Sequence, residues 1–169
     1  GSDKAMVKVG NVYELYERRK TAGLLKDFDD LLFDSYRLLK DNEAVREKYR
    51  EIFKHLLVDE FQDTNPAQME IIKLLLGDSS NGDDYSLWVC GDDAQSIYGF
   101  TGASVGNILN FKSVFPESEM IVLTLNYRST PQILQACQNL IQNNMRQIEK
   151  ELMTKNPAGE DVIVLESFN

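Results

Sequence analysis

Two adjacent carboxylates follow a short apolar run in the stretch HLLVDEFQDTNPAQ, which covers residues 55–68. The run that precedes Asp59 and Glu60 is typical of a central strand in a parallel sheet. Burying charge is costly unless it is compensated, so we expect the pair to point into a site. The first carboxylate of such a pair can hold Mg²⁺ on nucleotide phosphates, and the second can deprotonate an attacking water. Because Asp-Glu pairs are also common as caps and turns, the short motif alone does not decide between the two roles.

Two further polar clusters, Gly91–Asp93 and Asn126–Arg128, also follow apolar runs that are predicted as strands. Because the carboxyl ends of parallel strands meet at one rim of an open sheet, we expect all three clusters to converge there. At such a rim Arg128 could clamp a γ-phosphate, and Gln95 could hydrogen-bond that phosphate and report its loss. The alternatives are that Arg128 pairs with a surface acid and that Gln62 only orients its loop.

Strands and helices alternate along the chain, which predicts right-handed crossovers and an α/β fold with a mostly parallel sheet. The predicted strands are Leu56–Val58, Leu87–Cys90, Met120–Leu125 and Val162–Leu165. The predicted helices include one capped by Asp27, one opened by Pro66, one over residues 104–115 and one from Pro131 through Ile148. The residues at 78–84 are predicted to form a polar loop.

The chain has 169 residues, 43% of them hydrophobic, which suits one compact α/β domain. Its net charge of −9 gives no overall attraction for nucleic acid, so any such contact must be local. Cys90 and Cys137 lie among apolar residues and are interpreted as reduced core thiols. The reduced cysteines indicate a cytoplasmic protein. No apolar run approaches the roughly 20 residues that span a bilayer, so we expect no membrane partner.

Three longer strings closely resemble, in order and spacing, motifs II, III and IV of the UvrD/Rep/PcrA family of superfamily 1 DNA helicases. They are LLVDEFQDTNPAQ, VCGDDAQSIYGFTGAS and LTLNYRST. The resemblance extends from about Tyr13 to Phe168 and implies a partial RecA-like P-loop NTPase fold, with a mostly parallel sheet flanked by helices. It also implies a parent protein that uses ATP and Mg²⁺ to move 3′ to 5′ on single-stranded DNA and to open duplex junctions, in repair or replication restart.

The same resemblance implies roles for residues at the matching motif positions. Asp59 matches the acid that coordinates Mg²⁺, and Glu60 matches the catalytic base. Gln95 matches the glutamine that couples the γ-phosphate to the DNA site. Tyr127 matches the aromatic residue that stacks on adenine, and Arg128 matches the γ-phosphate arginine.

Tyr98 and Phe100 lie where aromatic residues of the family meet the bases of single-stranded DNA. Such stacking is worth about 1–3 kcal/mol per base and does not depend on charge, which suits an acidic chain. Phe100 replaces the usual tryptophan, Thr101 stands where many relatives carry arginine, and Ala94 where many carry aspartate. The alternative for Tyr98 is an ordinary core position.

The sequence contains no G-x-x-x-x-G-K-[ST] loop to cradle phosphates, so we expect the chain alone to be inactive and to bind ATP weakly. We interpret residues 1–6 as a tag and 7–130 as the later part of the first RecA-like domain. Residues 131–169 would lead into the second. A missing strand would expose a sheet edge, to be covered by the remaining helicase domains or by self-association.

Two other interpretations remain open at this point. The chain could be a degenerate DNA-binding or interaction module that does not hydrolyse ATP, or it could be part of a helicase–nuclease. The complete set of Asp59, Glu60, Gln95 and Arg128 favours the motor, because a module that only binds has no need of catalytic residues.

Overall fold

The computed structural model describes residues 2–77, 85–97, 99, 102 and 104–166, with side chains from Lys4 onward. The predictions for the polar loop at 78–84 and for Tyr98 and Phe100 lie outside the described residues. The chain divides into two compact units. The first unit comprises Gly1–Leu57 and Pro66–Trp88, and the second comprises Val58–Asn65 and Val89–Asn169.

The first unit consists mainly of helices, and the second contains shorter helices and turns. The bounds in the first are α1 Ser2–Ala22, α2 Phe28–Asp41, α3 Glu43–Ile52 and α4 Pro66–Leu75, with strands β1 His55–Val58 and β2 Ser86–Val89. The last residue of each of these strands belongs to the second unit. The second unit also has 3₁₀ turns at Phe61–Asp63 and Asp93–Gln95, helices α5 Val105–Leu109, α6 Phe111–Val114 and α7 Pro131–Ile141, and strands β3 Leu125–Asn126 and β4 Met153–Thr154.

Helix α2 begins as the sequence predicts. The Asp27 carboxylate accepts from the Asp30 backbone N–H at 2.8 Å, and the Asp30 carboxylate accepts from the Asp27 N–H at 3.1 Å. This reciprocal capping box satisfies backbone donors that the first turn leaves unpaired. The apolar side chains of α2 are only partly covered, because Leu39 is buried whereas Phe28 is 90% exposed.

Parallel strands flanked by helices confirm the predicted α/β class. The Ser86 N–H donates to the Lys54 carbonyl at 2.9 Å, and the Cys90 N–H donates to the Val58 carbonyl at 2.8 Å. Both strands therefore advance in the same direction, as expected for a parallel pair. Strands β3 and β4 are also parallel, with Leu125 opposite Met153.

The prediction of one sheet is wrong, because the described strands form two separate two-stranded sheets. The predicted strand Met120–Leu125 contributes only Leu125–Asn126, and the predicted strand Val162–Leu165 does not form. A strand exists only where a neighbour pairs its backbone groups. Within the described residues only the end of the first run, at Thr124 and Leu125, pairs with a neighbour, and most side chains of both runs are exposed.

Two predicted helices are shorter than expected. Helix α7 begins at Pro131 as predicted but ends at Ile141 and not at Ile148. The helix predicted over residues 104–115 is divided into α5 and α6 at Asn110, whose φ of −101° and ψ of 11° lie outside the helical region. Among the described residues, no helix is both long enough and apolar enough to cross a bilayer.

Candidate functional site

The turn after β1 carries the adjacent carboxylates in an unusual backbone conformation. Glu60 lies in the left-handed region, with φ 49° and ψ 42°, and its N–H donates to the Asp59 Oδ1 at 2.9 Å. Left-handed geometry costs a non-glycine residue about 1–2 kcal/mol, so surrounding contacts must hold it. The next residue supplies two of them. The Phe61 N–H donates to the Cys90 carbonyl at 2.9 Å, and the buried Phe61 ring packs edge-on against Phe111.

Gln62 connects this turn with the loop that follows β2. Its side chain is only 1% exposed. Its Nε2 donates to Glu60 Oε2 at 2.7 Å, and its Oε1 accepts from the Asp92 backbone N–H at 3.0 Å. A Cβ at Gly91 would lie 2.7 Å from Gln62 Oε1, so only glycine leaves room for this bridge.

The loop after β2 continues the same chain of hydrogen bonds to Gln95. The Asp92 carboxylate accepts from the Ala94 N–H at 3.1 Å through Oδ1, and from Gln95 Nε2 at 2.8 Å through Oδ2. Glu60, Gln62, Asp92 and Gln95 are thus linked in series, and we call these four residues the rim network. It joins the first two of the three predicted polar clusters.

Lys150 contacts the rim network from a distant part of the sequence. Its Nζ lies 2.6 Å from Asp92 Oδ1 and 2.5 Å from Asp93 Oδ1. Asp93 is buried, and its Oδ2 also accepts from the Ile148 backbone N–H at 2.9 Å. Burial by itself would lower the pKa of Lys150, but the hydrogen bonds to the two carboxylates outweigh it and raise that pKa. Burial by itself would raise the pKa of Asp92, but the hydrogen bonds from Lys150 and Gln95 outweigh it and lower that pKa.

The third polar cluster is built locally at the end of β3. Asn126 Oδ1 accepts from the backbone N–H groups of Arg128 and Ser129, at 2.9 and 2.7 Å, which forms an Asx turn. In this turn Tyr127 is 79% exposed, and Arg128 is exposed as well. Within the described part of the chain, no hydrogen bond, ion pair or ring contact joins either side chain to the rim network. The predicted convergence of three clusters at one rim is therefore found for two of them, because β3 lies in a separate sheet.

Family profiles match nearly the whole chain. The profile of the UvrD/REP helicase N-terminal domain matches residues 2–116, and that of the UvrD-like helicase C-terminal domain matches residues 121–169. The chain belongs to the UvrD/Rep helicase family. Membership implies the RecA-like helicase fold, which agrees with the parallel strands and flanking helices.

Curated relatives support the same assignment. The ATP-dependent DNA helicase UvrD1 of Mycobacterium tuberculosis (strain H37Rv) is 41% identical over 164 residues, which is 96% of this chain and 21% of the relative. The ATP-dependent DNA helicase PcrA of Staphylococcus aureus (strain NCTC 8325) is 41% identical over 160 residues, or 95% of this chain and 21% of the relative. The chain therefore spans about a fifth of the length of the relatives it matches.

The carboxylate after β1 suits a metal ion that is carried by a nucleotide. No group of three or more His, Cys, Asp or Glu side chains in the described part of the chain could hold a metal ion alone. Asp59 is exposed, and its described hydrogen bond occupies Oδ1 alone. Mg²⁺ commonly takes one or two carboxylates and fills its other positions with water and phosphate oxygens, so a single carboxylate fits it.

The structure adds two residues whose importance the sequence did not indicate. Gln62 was expected only to orient its loop, but it is the buried link between Glu60 and Asp92. Its position directly after the acidic pair is a weak local signal. Lys150 has no local signal at all, because its partners lie 57 and 58 residues away. Cys90 and Cys137 are free thiols, but both are exposed, so the expectation of core positions is wrong.

Proposed function

We propose that the gene product containing this chain is an ATP-dependent 3′-5′ DNA helicase that couples ATP hydrolysis to movement along single-stranded DNA. The observation that carries the proposal is the rim network. It ties the candidate base Glu60, after one strand, to the candidate γ-phosphate sensor Gln95, after the next. The relatives UvrD1 and PcrA, both named ATP-dependent DNA helicases, support the same function.

The geometry around Glu60 suits a general base. Gln62 donates to one carboxylate oxygen, Oε2, and so fixes the plane of the carboxylate. The other oxygen, Oε1, would then accept the proton of the attacking water. We assign Asp59 to the Mg²⁺ that accompanies the nucleotide, where the ion would neutralise phosphate charge.

The geometry around Gln95 suits a sensor. One N–H of its amide is donated to Asp92, and an amide carries a second N–H that a γ-phosphate oxygen could accept. Loss of the phosphate would remove that partner, and the change would reach Tyr98 and Phe100 nearby in the sequence. We propose that these two rings stack on the bases of single-stranded DNA.

The exposed residues after β3 complete the proposed nucleotide site. Arg128 is exposed, and its guanidinium has no hydrogen-bond or ion-pair partner among the described residues, so it is available to bind a γ-phosphate. The exposed Tyr127 ring is available to stack on adenine.

The remaining proposals concern the whole protein. We propose action on duplex junctions in repair or replication restart in the cytoplasm, with residues 7–130 in the first RecA-like domain and 131–169 leading into the second. The exposed apolar side chains of Leu57, Trp88 and residues 162–165 are consistent with cover by the remaining helicase domains. The chain alone, which lacks the phosphate-binding loop, would self-associate and would not hydrolyse ATP. Micromolar ATP affinity of the isolated chain in calorimetry would contradict the last point.

The decisive experiment measures DNA-stimulated ATP hydrolysis by the full-length gene product. We expect Glu60→Gln to lower turnover by about 10²–10⁴-fold, the usual contribution of a general base. Glu70→Gln is the matched control, because the ion pair of Glu70 among the described residues is with Lys73 on the surface of α4. Normal turnover in Glu60→Gln would refute the assignment of the base. A wild-type protein that binds DNA without hydrolysing ATP would be a degenerate binding module.

A further inference from the structure

We propose that Lys150 is a positioning residue for Gln95, acting through the Asp92 carboxylate, and that it links the segment after α7 to the γ-phosphate sensor. The proposal rests on the proposed function and adds a residue outside the three motifs. Lys150 lies 58 residues from Asp92 in the sequence, and the described contacts bring the two side chains together at 2.6 Å.

The two carboxylate oxygens of Asp92 accept hydrogen bonds from different donors. Oδ1 accepts from Lys150 and from the Ala94 N–H, whereas Oδ2 accepts from Gln95. A carboxylate is planar, so contacts that fix Oδ1 also fix the direction of Oδ2. Lys150 thereby determines where the acceptor of the Gln95 amide lies. The second N–H of that amide is held in a defined direction as a result.

Burial and charge distinguish this contact from an ordinary surface ion pair. The side chains of Asp93 and Lys150 are 3% and 18% exposed. Asp92 and Asp93 are adjacent and repel each other when both are charged. Among the described residues, Lys150 is the only cationic side chain that contacts them. Loss of its charge would leave two partly or fully buried carboxylates without compensation, and they would reorient.

The backbone next to Lys150 is attached to the same loop. The Ile148 N–H donates to Asp93 Oδ2 at 2.9 Å, and residues 147–152 form neither helix nor strand. A segment without its own regular structure takes its position from such contacts. Any displacement of this segment would therefore move Asp92 and, with it, the amide of Gln95.

The first test replaces Lys150 in the full-length gene product and follows DNA-stimulated ATP hydrolysis. Lys150→Met keeps the length of the side chain but removes its charge. We expect kcat to fall by about 10–100-fold while the KM for ATP changes little, because misplacement of a catalytic group mainly affects the chemical step. Lys150→Arg should recover most of the turnover. Lys155→Met is the matched control and should keep normal turnover, because Lys155 is an exposed lysine directly after β4.

A double substitution tests whether Lys150 acts through Gln95. In a Gln95→Ala background, Lys150→Met should lower kcat no further, because the group that it positions is already absent. Independent losses that multiply in the double variant would overturn the proposal. An equal loss in Lys150→Met and Lys150→Arg would also overturn it, because it would mean that the charge is irrelevant.

Hydrogen exchange of the full-length protein without nucleotide gives a readout that does not need activity. Lys150→Met should speed exchange of the amides at 93–97, whereas α2 should keep its protection, which would exclude global misfolding. Unchanged exchange at 93–97 would overturn the positioning role. A wild-type protein without ATPase activity would refute the proposed function itself. An active wild type with an unaffected Lys150→Met variant would refute this inference alone.

Discussion

In two clusters of the described residues one lysine meets several carboxylates, and the clusters differ in how far apart the partners lie in the sequence. In the first unit, Lys20 contacts Glu17 at 2.9 Å, Asp27 at 3.0 Å and Asp30 at 2.8 Å. All of these partners lie on α1 or at the start of α2, and Tyr16 also donates to Asp27. We call these residues the Lys20 cluster. It closes the turn between two consecutive helices and reinforces a helix cap.

The second cluster, in which Lys150 meets Asp92 and Asp93, joins parts of the chain that are 57 and 58 residues apart. One of its carboxylates also belongs to the rim network. A local cluster can form as soon as its own helices form, whereas the distant cluster needs the whole second unit. The comparison agrees with a role of the Lys20 cluster in local stability and with the positioning role that we propose for Lys150.

Removal of a buried aromatic ring should give the largest difference in lost stability between the two units. Phe61 is 0% exposed, and its ring centroid lies 5.5 Å from that of Phe111. Phe61→Ala should destabilise the turn after β1 by about 3–5 kcal/mol, because it leaves a cavity. Native-state hydrogen exchange of the amides around residues 61–64 measures this local free energy. Phe28→Ala, on the exposed start of α2, should cost far less, and equal losses would contradict the distinction.

A smaller effect is expected when the link within the rim network is removed. Gln62→Leu keeps the volume but leaves the Asp92 N–H and the Glu60 carboxylate without their buried partner. An unsatisfied buried group costs about 1–3 kcal/mol, and ATP turnover should fall because Glu60 is no longer oriented. Exchange at residues 60–63 and steady-state hydrolysis measure the two effects. Gln135→Leu is the control and should behave like the wild type, because in the described part of the chain the Gln135 amide donates to exposed Asn139.

The smallest effect should be the pH dependence of the Lys20 cluster, because its carboxylates are partly exposed and solvent weakens such ion pairs. A hydrogen bond from Tyr16, followed by others from the Asp30 backbone and Lys20, holds the pKa of Asp27 far below its usual range. Lys20 similarly lowers the pKa of Asp30. Because both folded pKa values lie below the unfolded value of about 3.9, their stabilisation is complete above that pH and is lost as pH falls through the folded values.

Lys20→Met should therefore reduce the loss of protection in α1 and α2 between about pH 4 and pH 2. Hydrogen exchange at several pH values, corrected for intrinsic exchange rates, measures the protection of α1 and α2. Arg18→Met removes a pair on the same helix, with Glu14, whose side chains are both mostly exposed, and should leave the pH dependence unchanged. If both variants behave alike, the Lys20 cluster has no special role in closing the turn.

The sequence alone determined the features that depend on neighbouring residues. Asp27 was predicted to cap α2 and Pro66 to open α4, because a cap and a proline act on the backbone within one turn. The family also followed from the sequence, because its motifs are continuous strings, and the profile matches confirmed it. The first two strands were predicted to within a residue or two, since each is a short apolar run followed by polar residues.

Only the tertiary structure decided which residues support the site. The hydrogen bond from Asp92 to Gln62 spans 30 residues, and that from Lys150 to Asp92 spans 58. No periodicity or motif in the sequence predicts either bond. The apolar run likewise did not predict the length of β3, because a strand extends only as far as a partner pairs with it. Local chemistry thus named the candidate base and the candidate sensor, and distant contacts determined which residues hold them in place.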